Sequence, residues 1–227
     1  MNVCLNNYVN IAPSMLSADF GFLADETKRA EDAGADFIHI DIMDGHFVPN
    51  FAIGIKALAA IRKNTKLPLD VHLMIYNPFN YIERFIENGA DIITVHFEAD
   101  ENIEDTLEYI RRCGKKASIA SNPETSLSFI PSFINKCDMM VFMTVNPGFG
   151  GQKFLPKVLD KVKLAKKICN EMKKDILLQV DGGINAKTAP LCIKAGANFL
   201  SSGNYLFNEC SSMSEGIKIL RGQNKKI

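Results

Sequence analysis

Four residues are placed where they can share a divalent cation. The run Phe37-Ile38-His39-Ile40-Asp41-Ile42-Met43-Asp44 sets His39 and Asp41 two positions apart. In an extended strand these two share a face, and Ile38, Ile40 and Ile42 take the other. Two more apolar runs, Leu69-Asp70-Val71-His72-Leu73-Met74 and Ile176-Leu177-Leu178-Gln179-Val180-Asp181-Gly182-Gly183, carry His72 and Asp181 at late positions. Two imidazoles and two carboxylates suit Zn2+, Mn2+, Fe2+ or Co2+ and leave room for a substrate oxygen. A single strand histidine is more often a hydrogen-bonded core residue. A single inward aspartate is rarer, because burying an unpaired carboxylate is costly. Four such residues at matching strand ends favour the metal reading. His96, ending another run, is a fifth polar group, read as supporting the others or as structural. His46 follows the Met43-Asp44-Gly45 turn and receives no role. Met43, Met74 and Met143 fall near strand ends, as core filler or as a soft, dry wall beside a bound intermediate.

A second group is rich in glycine. Thr144-Val145-Asn146-Pro147-Gly148-Phe149-Gly150-Gly151-Gln152-Lys153-Phe154 follows one apolar run, and Asp181-Gly182-Gly183-Ile184-Asn185 and Ser201-Ser202-Gly203-Asn204 end two others. Each glycine alone is simply a turn residue. Three successive loops of this kind favour a rim of backbone N–H groups that holds phosphate, with a mobile lid.

The elements that must position these groups alternate along the chain. Strands are expected at 9–13, 36–42, 68–74, 91–97, 115–120, 138–144, 176–181 and 197–202. Helices are expected near 22–33, 54–63, 78–88, 102–112, 125–135, 155–173, 186–195 and 212–221. Ala33-Gly34-Ala35-Asp36, Asn88-Gly89-Ala90-Asp91 and Ala195-Gly196-Ala197-Asn198 each put glycine just past a helix, where it takes the left-handed conformation that ends one. Eight βα units imply an α/β fold, a single-domain (β/α)8 TIM barrel over 1–227. A doubly wound open sheet shares the punctuation, but no G-x-G-x-x-G follows the first strand.

With 227 residues, one core suffices. Lys+Arg and Asp+Glu are 26 each, so no long-range field draws the chain to nucleic acid or an anionic membrane. Any phosphate must be held by local backbone geometry. Cys4, Cys113, Cys137, Cys169, Cys192 and Cys210 show no paired spacing and read as free thiols. The amino terminus lacks the basic and apolar regions of a secretory signal, and no long apolar run spans a membrane, so a cytoplasmic protein is expected. The polar stretch 221–227 reads as a frayed end.

From Ile11-Ala12-Pro13-Ser14-Met15-Leu16-Ser17-Ala18-Asp19 to Ser202-Gly203, the sequence resembles the ribulose-phosphate 3-epimerase family of ribulose-phosphate-binding barrels. The long, specific segments are His39-Ile40-Asp41-Ile42-Met43-Asp44-Gly45-His46-Phe47-Val48-Pro49-Asn50 and Asn146-Pro147-Gly148-Phe149-Gly150-Gly151-Gln152-Lys153-Phe154. The resemblance implies one divalent ion per subunit, Zn2+ first and Fe2+ next, held by His39, Asp41, His72 and Asp181. It implies Asp41 and Asp181 as the acid/base pair. Substrate contacts would come from Ser14, His72, Gly148, Phe149, Gly150, Gly151, Asp181, Gly182, Gly183, Gly203 and Asn204. It suggests a homo-oligomer, dimer or hexamer. Two positions depart from the family: Asn204 stands where a small hydroxyl residue is usual, and Ser121 where an aliphatic one is.

The chemistry fits the residues. Epimerising C3 of a 2-ketose phosphate removes the proton beside the carbonyl and returns one from the opposite face. One carboxylate must start ionised and the other protonated, while a cation on the C2 and C3 oxygens stabilises the enediolate. The implied reaction interconverts D-ribulose 5-phosphate and D-xylulose 5-phosphate, a step of the pentose phosphate pathway. Allulose 6-phosphate would suit the same motifs. A barrel decarboxylase would need Asp-x-Lys-x-x-Asp, and Met43 stands where its lysine would be. A non-catalytic sugar-phosphate sensor would not need both Asp41 and Asp181.

Overall fold

The computed structural model describes residues 8–99 and 102–223. Cys4, the segment read for a targeting signal up to position 7, and positions 224–227 lie outside them. Eight strands form one parallel sheet: β1 Asn10–Pro13, β2 Ile38–Met43, β3 Leu69–Met74, β4 Ile92–His96, β5 Lys116–Ser121, β6 Met139–Met143, β7 Leu177–Asp181 and β8 Phe199–Ser202. Helices alternate with them: α1 Leu23–Asp32, α2 Ile55–Lys63, α3 Ile82–Glu87, α4 Ile103–Arg112, α5 Phe129–Phe133, α6 Leu159–Glu171, α7 Ala189–Ala195 and α8 Met213–Leu220. Every strand falls within two residues of its expected bounds.

Strand order is β1-β8-β7-β6-β5-β4-β3-β2, and the sheet curls until its two ends meet. The β1–β2 seam is thin. It consists of a parallel bridge between Ser14 and His39 and the N–H groups of Asp36 and Phe37 on the Ile11 carbonyl. Arg221 reinforces it: its guanidinium donates to Asp36 Oδ2 (2.6 Å) and to the carbonyls of Val9 and Gly34, while the same Asp36 oxygen accepts from Ile11 N–H. Arg221 is therefore tied into the barrel closure, not frayed.

Side-chain alternation separates two cores. Ile38, Ile40, Ile42, Val71, Leu73, Ile93 and Val95 point outward and pack under the helices. Each such side chain contributes roughly 1.5–3 kcal/mol when buried. Inside the barrel Ala12, Ile92, Ala120, Met139, Val141, Leu177 and Phe199 form a separate cluster. Above it the interior turns polar, with His39, Asp41, Asp70, His72, Thr94, His96, Ser118, Gln179 and Asp181 all buried.

Gly34, Gly89 and Gly196 take positive φ angles of 89°, 110° and 112°, as their helix-ending positions require. The expected helix 125–135 shortens to α5. Had it begun at 125, Pro131 would sit in its interior and forfeit a hydrogen bond; starting at Phe129 keeps Pro131 in the first turn, where no N–H is needed. A π-helical turn, Tyr205–Glu209, follows β8 and was not expected. The five described cysteines are free. Among the described residues no helix is long and apolar enough to cross a membrane.

Candidate active site and metal centre

The strand register brings His39, Asp41, His72 and Asp181 together. Asp41 pairs with His72 across β2–β3, and Asp181 pairs with Met143 across β6–β7. His39 Nε2 lies 3.2 Å from Asp41 Oδ1 and 3.6 Å from Asp181 Oδ2. His72 Nδ1 lies 3.3 Å and 3.7 Å from the same two oxygens. One ligand atom from each of the four residues falls within 4.8 Å of all the others. An ion with bonds of 2.0–2.1 Å would space tetrahedral ligands by about 3.3–3.4 Å, close to the four N–O separations here. His72 Nδ1 is buried and has no hydrogen-bond partner among the described residues. A buried ring nitrogen directed at two carboxylate oxygens is what a cation site provides, so the residues fit a divalent metal.

The electrostatics agree. Burial works against charge on His39, yet Asp41, Asp70 and Asp181 outweigh it and raise its pKa well above the ordinary imidazole value. For His72 burial is likewise outweighed, by Asp181 and Asp41. Burial would raise both carboxylates, but the two rings hold Asp41 far below its usual range and Asp181 at about 2. The site is thus a buried well of negative potential that collects positive charge.

Each histidine is backed by other residues. Asp70 Oδ2 accepts from His39 Nδ1 (2.6 Å) and from the Gln179 amide (2.9 Å). The bond to Asp70 turns Nε2 of His39 toward the carboxylates. Asp41 Oδ2 accepts from the Ser14 hydroxyl (2.7 Å), leaving Oδ1 to the histidines. His72 Nε2 lies 2.9 Å from His96 Nε2, and His96 Nδ1 lies 3.0 Å from Glu98 Oε2. Burial lowers the His96 pKa to about 4, against the opposing pull of Glu98. The sequence reading assigned nothing to Asp70, Gln179 or Glu98. Each stands two positions from a site residue on the same strand face or its continuation: Asp70 before His72, Gln179 before Asp181, Glu98 after His96. That spacing was the available signal.

Above the cluster opens a cavity of about 230 Å3. It is lined by Ser14, Asp41, Met43, Met74, Met143, Gly148, Phe149, Gly150, Gly151, Asp181, Gly182, Gly183, Gly203 and Asn204, among others. His39 and His72 lie beneath its floor, fully buried. The charged residues of the lining are Asp41, Asp181 and Glu209, with no Lys or Arg. Gly183 has φ +66°, and a Cβ there would come within 3.1 Å of Phe154 N and 3.2 Å of the Gln152 carbonyl. Its loop is held by its carbonyls: Thr144 donates to those of Asp181 and Gly182, Thr188 to Gly183 and Ser202 to Ile184. The loop after β6 is pinned by Gln152, which donates to the carbonyls of Asn146 and Phe149, and by Asn50, which donates to Gly148 (2.7 Å). Phe149 at its tip is half exposed.

Of the two departures from the family pattern, Asn204 donates to Glu209 Oε1 (2.6 Å) and accepts from Asn208. Ser121 is buried at the end of β5 with no hydrogen-bond partner for its hydroxyl among the described residues. His46 lies against the Tyr76 ring at a tilt of 47°, outside the cluster.

Fold and site together define a (β/α)8 barrel enzyme whose strand-end mouth joins a two-histidine, two-aspartate cluster able to hold a divalent metal to a glycine-rich rim. Solved structures show the same fold at low identity. A mutant tryptophan synthase alpha-subunit from Pyrococcus furiosus aligns at TM-score 0.71 with 14% identity, covering 96% of this chain and 98% of that one. A 3-hexulose-6-phosphate synthase aligns at TM-score 0.65 with 18% identity, covering 96% of this chain and 100% of that one. The model of the ribulose-phosphate 3 epimerase family matches residues 10–207. The ribulose-phosphate 3-epimerase of Chlamydia pneumoniae is 50% identical, with 95% of this chain and 96% of that protein covered. That of Bacillus subtilis (strain 168) is 49% identical, with 94% and 99% covered. The chain belongs to the ribulose-phosphate 3-epimerase family.

Proposed function

We propose that this chain interconverts D-ribulose 5-phosphate and D-xylulose 5-phosphate by moving the C3 proton between Asp41 and Asp181. The observation that carries the reading is the pair of carboxylates at the base of one cavity, both directed at the same two imidazoles. The ionised carboxylate takes the C3 proton, and the C3–H electron pair moves into the C2 carbonyl to give an enediolate. Both carboxylates lie low in the substrate-free site, so the second must take up its proton when substrate is bound; it then returns that proton to C3 from the opposite face, and the pair exchanges roles at each turnover. Ser14 holds Asp41 in place through Oδ2. A divalent ion held by His39, Asp41, His72 and Asp181, with Zn2+ the best match to that donor set, would supply positive charge for the oxygens that become anionic.

The phosphate is assigned to the rim of Gly182, Gly183, Gly203 and Asn204. With no basic residue lining the cavity, the attraction comes from backbone N–H groups of the loops after β7 and β8. The lid Gly148, Phe149, Gly150 and Gly151 covers the sugar and keeps water from the enediolate. Met43, Met74 and Met143 line the same cavity as its apolar wall. Free thiols suit a reducing cytoplasm. Exposed Phe51, Tyr76, Phe79 and Tyr81 support a homo-oligomer, which sedimentation would check.

The test is incubation of the metal-loaded protein with ribulose 5-phosphate in D2O, followed by proton NMR at C3. Loss of the C3 signal together with appearance of xylulose 5-phosphate is expected. No exchange by a metal-loaded protein would overturn the assigned substrate.

A further inference from the structure

We propose that Glu98, acting through His96, is a positioning residue that fixes which ring nitrogen of His72 carries hydrogen, and so presents Nδ1 to the bound cation. The inference rests on the metal-site reading above. The direction of each hydrogen bond follows from what the end of the chain can do. Glu98 Oε1 accepts from Asn122 N–H (2.8 Å) and from the Thr125 hydroxyl. Its Oε2 faces His96 Nδ1 at 3.0 Å. A carboxylate already receiving two donors can only accept a third, so His96 Nδ1 carries hydrogen. His96 Nε2 is then a lone pair, and across 2.9 Å it requires a hydrogen on His72 Nε2. The two ring centroids lie 5.0 Å apart with their planes 17° from parallel. His72 is left with Nδ1 as its cation-facing nitrogen, the same atom that is buried without a partner beside Asp41 and Asp181.

The line ends outside the barrel. Asn122 and Thr125 belong to the loop after β5, and Lys161 of α6 donates to the Asn122 carbonyl. The orientation of a metal-facing ring thus depends on a loop that contributes nothing to the cavity lining.

Glu98→Gln tests the polarity of the line without changing its shape. The Gln oxygen stays with Asn122 and Thr125, and its NH2 then faces His96. His96 Nδ1 must accept, its hydrogen moves to Nε2, and it meets the Nε2–H of His72 head on. The conflict is relieved when the His72 hydrogen moves to Nδ1, where it blocks the cation. Zn2+ affinity would be measured by chelator competition for wild type and variant, alongside ring 15N spectra of the histidines, of which the chain has four. We expect Glu98→Gln to lose at least ~10-fold in Zn2+ affinity while the metal-free variant still unfolds in one cooperative transition. In Zn2+-loaded wild type the hydrogens should sit on Nε2 of His72 and Nδ1 of His96. Affinity of the variant within about twofold of wild type would overturn the inference. So would a wild-type spectrum with hydrogen on Nδ1 of His72, a result that stands even if the variant does not fold. Wild type that takes up no stoichiometric Zn2+ would instead overturn the metal reading itself.

Discussion

Replacing either aspartate by asparagine separates the two faces of the reaction. Asparagine keeps the shape of the side chain, so the cavity is preserved, but a carboxamide takes no proton near neutral pH. General acid or base action contributes about 10^2- to 10^4-fold, and each carboxylate serves a face the other cannot reach. The remaining acidic residue of the lining, Glu209, is bonded by Asn204 at the rim and does not substitute. Asp41→Asn and Asp181→Asn should therefore each lose at least ~10^3-fold in turnover, about 4 kcal/mol. The finer signature is in exchange. With one base left, an epimer whose C3–H faces that base can still trade its proton for deuterium without inverting. Each variant, checked for metal content, would be incubated in D2O with each pure epimer and followed at C3. The two variants should show complementary patterns, one exchanging ribulose 5-phosphate and the other xylulose 5-phosphate. Both exchanging the same epimer, or either turning over within about tenfold of wild type, would refute the two-face assignment.

Metal uptake should weaken as pH falls, because His39 and His72 hold protons above the ordinary value of 6.5 and must release them to bind an ion; calorimetry in buffers of different ionisation enthalpy would count those protons. In chelator-treated protein the raised histidine pKa values contribute stability that is complete below 6.5 and lost as pH rises through the folded values. The lowered Asp41 and Asp181 values contribute stability present above 3.8 and lost as pH falls through the folded values; urea midpoints across pH would reveal both limbs, and a flat profile would contradict them. Ser14→Ala removes the 2.7 Å bond onto Asp41 Oδ2. At ~1.5–3 kcal/mol for a bond to a charged group, kcat should fall roughly 10- to 100-fold, and an unchanged kcat would show that Asp41 needs no such support. Gly183→Ala forces a side chain into φ +66° against the backbone of Phe154 and Gln152. It should cost about 1–2 kcal/mol of stability and raise KM more than it lowers kcat, and a KM unaltered in steady-state assays would remove this loop from phosphate binding.

The sequence alone determined the strands and which of their residues face inward, the features that depend on local periodicity. Alternation in β2, β3 and β7 put His39, Asp41, His72 and Asp181 on inward faces, because side chains in a strand switch sides at every residue. Glycine at 34, 89 and 196 marked helix ends, because few other residues take those φ angles. The short α5 was within reach too, since Pro131 forbids an earlier start. The tertiary structure decided what depends on pairing between distant positions. Asp70 backs His39 across 31 positions of sequence, and Gln179 reaches Asp70 across 109. Arg221 closes the β1–β2 seam from 185 positions away. Which nitrogen of each histidine faces the carboxylates followed only from these contacts. A ring's hydrogen is set by the partner of its other nitrogen, and that partner lies on a neighbouring strand or in the loop beyond it.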